Sequence, residues 1–214
     1  MKIKNVNTVL FTLLLIWLPT IIATFFYSRL PEQIPTHFDI NWNPDAYSSK
    51  NSFLLMFPLI LSVVHLVCVL VTNADPKIKN IPKKVLLCLY AVCPCISIFV
   101  SLVTYSKVLG YNVNYNFISS IAIGVLFLVS GRFLLPKTKQ NYSFGIKTPW
   151  TLNDEEIWEK THIFGGKCFV AAGILMLASM FLDNPDIVIF VAIIIAVGLP
   201  FVYSYILYSK KYKN

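Results

Sequence analysis

The sequence predicts an all-α membrane protein, a bundle of six transmembrane helices with both chain ends in the cytoplasm. Of its 214 residues, 57% are hydrophobic and only 13% are charged, whereas soluble domains are about half apolar and about a quarter charged. The apolar residues form long runs, and the charges fall in short clusters between them. A soluble domain could not bury so much apolar surface, but a lipid bilayer solvates it.

Six apolar runs are long enough to cross a bilayer, because about 20 helical residues span ~30 Å of hydrocarbon. The runs are residues 9–26, 53–71, 85–103, 117–135, 163–182 and 187–208. Two of them contain a basic residue, Arg132 and Lys167. Each lies near the end of its run, where a long side chain can reach the headgroups.

The orientation follows from the distribution of lysine and arginine. With the N-terminus inside, fifteen of the eighteen basic residues are cytoplasmic: 2 at the N-terminus, 4 in 74–84, 6 in 132–167 and 3 at the C-terminus. Only Arg29, Lys50 and Lys107 are outside. The positive-inside rule therefore predicts an N-in, C-in topology. The net charge of +8 is then a membrane anchor, and no direct binding of nucleic acid is expected.

Two connections are longer than neighbouring helices require. The outer loop, residues 28–52, follows the first helix, and the inner loop, residues 136–162, follows the fourth. Long loops between rigid elements are common sites of function. We expect an N-terminal module of two helices at residues 1–75 and a second module of four helices at residues 76–214.

Aromatic rings and carboxylates alternate in the outer loop. Phe38 and Trp42 are suited to the headgroup level, and Asp39 and Asp45 lie beside them. Rigid aromatic side chains next to carboxylates are suited to recognition at the outer surface. The alternative is a loop that only plugs the bundle.

The inner loop is predicted to contain a capped helix. Asn153 followed by Glu156 forms the pattern of a capping box, and a helix from Asp154 onward places Trp158 and His162 on one face. We expect this helix to lie at the lipid headgroups and to move or become exposed when the protein binds a ligand. The alternative is a helix that seals the bundle. The motif residues are Gly145, Thr148, Pro149, Trp150, Asn153, Glu155, Glu156, Trp158, His162, Gly165 and Gly166.

The two glycines at the end of this motif, Gly165 and Gly166, allow either a bend or close helix packing. Glu159 and His162 could together ligate a metal from one helical face, but a matching pair of ligands is missing. Cys93 and Cys95 flank a proline, as in soft-metal pumps, yet no phosphate-binding loop accompanies them. The sequence predicts no catalytic residues, no metal site and no cofactor.

His65 lies in the middle of the second apolar run. An ionisable group at that depth is a functional candidate, and the alternative is a neutral histidine bonded to a neighbouring helix. Together with six helices, His65 leaves open a small-molecule or ion transporter or channel. The sequence offers no second intramembrane charge as a coupling site.

Both loops resemble known families. The stretch 145–162, GIKTPWTLNDEEIWEKTH, continued by Gly165 and Gly166, resembles the hallmark of the SdpI family. The stretch 30–39, LPEQIPTHFD, resembles the DUF1648 module that precedes it in many members. Where that module usually has glycine, this chain has Trp42.

The resemblance implies a multi-pass protein of the bacterial plasma membrane that protects its producer from a secreted antimicrobial peptide toxin. In some members it also implies signalling, by holding a cytoplasmic transcriptional repressor at the membrane. The expected partners are therefore the toxin, the repressor and the lipid bilayer. Phe38, Asp39, Trp42 and Asp45 are the residues that we expect to recognise the toxin.

The topology can be tested by cysteine accessibility in a cysteine-free background. Because the basic residues are so unevenly distributed, Asn43→Cys should be labelled only from outside and Ser143→Cys only from inside. Labelling of both positions from the same side would contradict the six-helix topology.

Overall fold

The computed structural model describes residues 6–39, 41–182 and 185–212, most of which are helical. Six helices are long and apolar enough to cross a membrane, as predicted. They span Val6–Thr24, Lys50–Ala74, Lys83–Val108, Tyr115–Lys137, Glu155–Ser179 and Asp186–Tyr212. Many of their large apolar side chains are exposed, which is the surface that lipid covers. The N-in, C-in orientation remains a prediction.

The elements follow one another in a simple order. The helices are α1 (Val6–Thr24), α2 (Lys50–Ala74), α3 (Lys83–Val108), α4 (Tyr115–Val129), α5 (Pro149–Asn153), α6 (Glu155–Ser179), α7 (Asp186–Ile193) and α8 (Leu199–Tyr212), and the strands are β1 (Gln33–Phe38) and β2 (Pro44–Ser49). A π-helical turn, Ser130–Leu134, continues α4, and a second one, Ile194–Gly198, joins α7 to α8. The fourth and sixth spans are therefore continuous helical rods that widen locally.

The outer loop is a β-hairpin, which the all-α prediction did not include. Strands β1 and β2 are antiparallel, with Gln33 opposite Ser49 and Phe38 opposite Pro44. Ile34 on β1 is fully buried. The two prolines of β1 and β2 and the irregular register hide the alternating pattern that normally predicts a strand.

The hairpin turn depends on Asp39 and Trp42. The Asp39 carboxylate accepts hydrogen bonds from the backbone N–H groups of Asn41 and Asn43, at 2.9 and 2.7 Å. The Asn43 N–H in particular holds the pKa of Asp39 below its usual value. Trp42 has a φ of +62°, the left-handed region that glycine enters freely and other residues rarely adopt. This backbone conformation explains why glycine suits the position.

The chain folds into two compact units. The first consists of Met1–Asn73 and Leu87–Tyr115, and the second of Ala74–Leu86 and Asn116–Asn214. The division into modules at residues 1–75 and 76–214 remains a prediction, because each compact unit combines two separate stretches of the chain. Most of α3, however, packs with the first unit.

The first unit has an aromatic core beneath the hairpin. Ile34 of β1 packs with Phe53 of α2 and Tyr105 of α3. The rings of Phe26 and Phe53 meet the Tyr105 ring edge to face, with centroids 5.8 and 6.2 Å apart. Edge-to-face geometry is favourable for such rings, so the hairpin rests on a rigid platform.

In the second unit, the fourth span crosses α6 through small residues. A Cβ on Gly131 would lie 2.5 Å from the carbonyl oxygen of Gly166, and a Cβ on Gly166 would lie 2.7 Å from that of Gly131. Gly124 and Gly173 meet in the same way seven residues along each helix. Backbones can approach this closely only where side chains are absent, as in many membrane helix pairs.

The glycine contact predicts a selective loss of stability. Gly131→Ala should destabilise the protein by about 1–3 kcal/mol, because the methyl group forces the packed helices apart. Gly198→Ala is the matched control, since its Cβ would meet only Ile194, at 3.6 Å. The measurement is the midpoint of thermal unfolding in detergent. Equal midpoints for the two variants would contradict the close-packing argument.

Candidate functional site

The inner loop is built around α5, a helix of one turn. Thr148 is its N-cap: the Thr151 N–H donates to Thr148 Oγ1 at 3.2 Å, and the Thr148 N–H donates to Thr151 Oγ1 at 2.8 Å. This reciprocal pair is a capping box, and Pro149 occupies the first helical position. The Thr-Pro dipeptide of the motif therefore starts a helix.

Three buried polar residues that the sequence did not single out hold the loop in place. Asp75 Oδ2 accepts from the Tyr142 N–H at 2.9 Å and from Ser143 Oγ at 2.7 Å. Gln140 Nε2 donates to the carbonyl oxygens that end α5, and Asn141 bonds four backbone groups around itself. The sequence carries no distinct signal for them, since all three are polar residues in connections between apolar runs.

Trp158 and His162 form the centre of the motif. Their rings stack with centroids 4.0 Å apart, and each side chain is 1% exposed. Trp158 Nε1 donates to the Thr138 carbonyl at 2.8 Å. His162 Nε2 accepts from the Ile146 N–H at 2.9 Å, so its Nδ1 carries the proton and donates to the Trp158 carbonyl. The predicted shared face of these two residues is confirmed.

Gly145 has to be glycine for two reasons. Its φ is +134°, where other residues are strained. A Cβ would also overlap His162 Nε2 and would lie 2.8 Å from Trp158. The backbone at Gly145 therefore lies directly on the stacked rings, which locks the loop to α6.

The N-cap of α6 is Asp154, so the predicted capping box of Asn153 and Glu156 is wrong. Asp154 Oδ1 accepts from the N–H groups of Glu156 and Ile157, at 2.9 and 3.0 Å. Asn153 ends α5 instead, and its amide donates to the Pro149 carbonyl. A carboxylate at the helix start is also favoured by the helix dipole.

Asp154 also joins the start of α6 to the end of α8. Its Oδ2 accepts from Lys211 Nζ at 2.9 Å and from the Tyr212 hydroxyl at 2.7 Å, and Glu156 pairs with Lys160 and Lys211. Burial acts to raise the pKa of Asp154, but the hydrogen bonds from Lys211 and Tyr212 outweigh it and hold that pKa below its usual value.

The expectation that a separate helix lies at the headgroups is wrong. Helix α6 runs without interruption from Glu155 to Ser179, so the motif helix and the fifth span are one element. Ile157 and Trp158 are buried inside the protein, at 2% and 1% exposure. Gly165 and Gly166 permit close packing and do not break the helix.

Trp150 is held by α8. Its ring lies between those of Phe201, Tyr205 and Tyr208, with centroids 5.4 to 5.9 Å away, and its Nε1 donates to Ser204 Oγ at 2.7 Å. Both tryptophans of the motif thus have structural partners. The Ser204 hydroxyl supplies the hydrogen-bond partner that the half-buried Trp150 indole N–H needs.

An open cleft of about 510 Å³ lies beside the stacked rings. Glu155 and Glu159, one turn apart on α6, are exposed at this cleft, as are Lys137 and Lys139. Among the residues that the structure describes, none of these four side chains forms an ion pair. Two cations and two anions are therefore available to a partner.

The predicted outer residues are brought together only in part. The Phe38 and Trp42 rings lie 6.4 Å apart, and the Trp42 ring lies 5.5 Å from that of Tyr115. Asp39 is occupied by the turn, and Asp45 Oδ1 lies 2.6 Å from His37 Nδ1. The hairpin thus presents a ring pair beside one exposed acid–histidine pair.

His65 is buried between helices of the first unit. Its Nε2 lies 2.8 Å from Thr12 Oγ1 on α1, and its ring meets that of Tyr90 edge to face. A neutral histidine bonded to a neighbouring helix accounts for these contacts. In the described ranges no group of three metal-binding side chains occurs.

The fold and the site define a class of protein: a polytopic helical membrane protein with a β-hairpin in its outer loop and a capped, buried motif in its inner loop. Residues 14–61 match the domain of unknown function DUF1648, and residues 137–204 match the SdpI/YfhL protein family. The chain is 28% identical over 189 residues to the immunity protein SdpI of Bacillus subtilis, covering 88% of each chain.

A shorter similarity links the chain to an uncharacterized protein of Archaeoglobus fulgidus, at 31% identity over 80 residues, which is 34% of this chain and 42% of that protein. No solved structure matches the present chain. The two resemblances seen in the sequence are confirmed by these matches. Together with the six apolar helices, they identify a multi-pass protein of the bacterial cell membrane.

Proposed function

We propose that this chain is a membrane immunity protein, which protects the bacterium that makes it from a secreted antimicrobial peptide. The observation that carries the proposal is the similarity to an immunity protein over 88% of both chains. That similarity includes both long loops and is not confined to apolar helices, which resemble one another by composition alone.

The outer hairpin supports recognition of the peptide itself. A secreted peptide reaches the outer face first, and the hairpin offers the ring pair of Phe38 and Trp42 on a strained but fixed turn. Aromatic side chains lose little entropy when they bind, so they are efficient anchors. Asp39 and Asp45 contribute differently: Asp39 fixes the turn, and Asp45 adds an exposed carboxylate.

Immunity is tested by survival of a sensitive bacterium, with and without this gene, exposed to a panel of secreted amphipathic cationic peptides. We expect protection against at least one of them. Trp42→Gly together with Phe38→Ala should lower the tolerated concentration by about tenfold, because a truncated aromatic anchor costs about 1.4 kcal/mol or more.

The glycine substitution separates recognition from folding. Glycine accepts the left-handed backbone at residue 42, so the variant should accumulate in the membrane as the unmodified protein does. Tyr47→Ala removes an exposed ring of β2 and is the matched control. Unchanged protection in the double variant would leave the hairpin as a plug of the bundle.

The finer part of the proposal is signalling through the inner loop to a cytoplasmic transcriptional repressor. It is supported by the cleft next to Trp158 and His162. The exposed charged side chains around this cleft have no ion-pair partner within the described part of the chain. Glu155 and Glu159 on one face of α6 suit a basic surface of a partner protein. The buried rings would keep these charges in fixed positions.

Signalling is tested in protected cells that carry a reporter for the response to the peptide. Glu155→Gln with Glu159→Gln should reduce induction severalfold while protection and membrane level persist, because only exposed charges change. Glu156→Gln is an unsuitable control since Glu156 is already paired, so Lys147→Gln, an exposed charge outside the cleft, replaces it. Normal induction in the double variant would exclude this cleft as the repressor site.

A further inference from the structure

A second groove lies in the second unit, on the lipid side of the α6 crossing. Its volume is about 400 Å³, and it is lined by Gly131, Pro136, Ile163, Gly166, Val170 and Ile174, with Ala171 at its edge. The lining is almost entirely apolar. The groove exists because Gly131 and Gly166 have no side chains to fill it and their backbones are in contact.

Two cations border this groove at the same level. Arg132 and Lys167 each directly follow one of the two contacting glycines, and both are exposed. No carboxylate lies within ion-pair distance of either one across residues 6–39, 41–182 and 185–212. The Arg132 guanidinium lies 5.9 Å from the ring centroid of its neighbour Phe133. Two charges in an apolar span without a protein partner are costly unless a ligand or the headgroups neutralise them.

The depth of the cations fits the edge of a bilayer. Arg132 lies sixteen residues after Asn116, or about 24 Å along the helix at 1.5 Å per residue. That distance is close to the far side of a hydrocarbon layer about 30 Å thick, within reach of long side chains. On the predicted orientation this is the cytoplasmic leaflet, whose surface is negatively charged.

We propose that this groove binds one anionic phospholipid, with an acyl chain along Gly166, Val170 and Ile174 and the phosphate between Arg132 and Lys167. Charge complementarity selects this occupant: a zwitterionic lipid carries its own cation and leaves the pair only partly neutralised. A peptide strand would not fit, because its backbone groups would lack hydrogen-bond partners against an apolar lining. The inference does not depend on the immunity function.

The test uses the purified full-length protein in detergent and native mass spectrometry with phosphatidylglycerol or phosphatidylcholine of identical acyl chains. The unmodified protein should bind phosphatidylglycerol more tightly. Arg132→Gln and Lys167→Gln should each weaken that binding by about fivefold, whereas Lys84→Gln, an exposed lysine outside the groove, should have no effect.

The apolar part of the site is tested separately. Ala171→Phe should fill the groove and lower binding of both lipids, and Ala178→Phe, also exposed on α6, is its control. All five substituted positions are exposed, so folding should persist, and the midpoint of thermal unfolding checks it. Equal binding of the two lipids by the unmodified protein, or unchanged binding in the Arg132 and Lys167 variants, would overturn the proposal. So would an equal loss with Lys84→Gln.

Discussion

The second unit depends on the contact between Gly131 and Gly166. Because no side chain separates the two backbones, α6 and the fourth span approach closely enough for Pro136 to touch Gly166 and for Thr138 to meet Trp158. The indole N–H of Trp158 then finds the Thr138 carbonyl, 2.8 Å away. A longer separation would leave that N–H buried without a partner, which is expensive in an apolar interior. The order of the inner loop therefore depends on the close packing of these two helices in the membrane.

The same requirement for pairing explains the rest of the inner loop. The buried backbone groups of this loop need hydrogen-bond partners, and buried polar side chains supply them. Asp75, Gln140 and His162 each accept or donate to backbone groups of the loop. Each of these side chains is at most 6% exposed, so their hydrogen bonds face little competition from water. A loop held in this way is rigid, and it can present charges at fixed separations.

The sequence predicted the parts of this fold that depend on composition and local pattern. Six spans follow from six apolar runs, and the spacing of Trp158 and His162 places them on one face of the predicted helix. It did not predict the partners of Asp75 or the meeting of Gly131 with Gly166, because those contacts join residues far apart in the chain. The prediction that the motif helix lies at the lipid headgroups was wrong for a related reason. Apolar residues on a polar-flanked helix suit either a membrane surface or a protein interior, and only tertiary packing decides between them.

The N-cap of α6 shows how local rules can compete. Asn153 and Asp154 are both good N-caps, but the Thr148 capping box starts α5 early enough that Asn153 becomes its last residue. Asp154 is then the first residue free to cap the next helix, and Lys211 and Tyr212 further favour a carboxylate there. The correct cap thus depends on where the preceding helix ends, at Asn153, and on side chains of the last helix, α8.

These contacts divide the motif into buried residues that stabilise the fold and exposed residues that are available to a binding partner. The most distinctive residues of the motif are Trp150, Trp158 and His162. The polar atoms of their side chains already form hydrogen bonds inside the protein. A partner can read only side chains that solvent also reaches. In the proposed signalling role, specificity at this face would come from the charges around the cleft, Glu155 and Glu159 on α6 and the lysines at 137 and 139 in the loop. Proteins with the same buried motif residues but different charged residues around the cleft would share this fold and bind different partners.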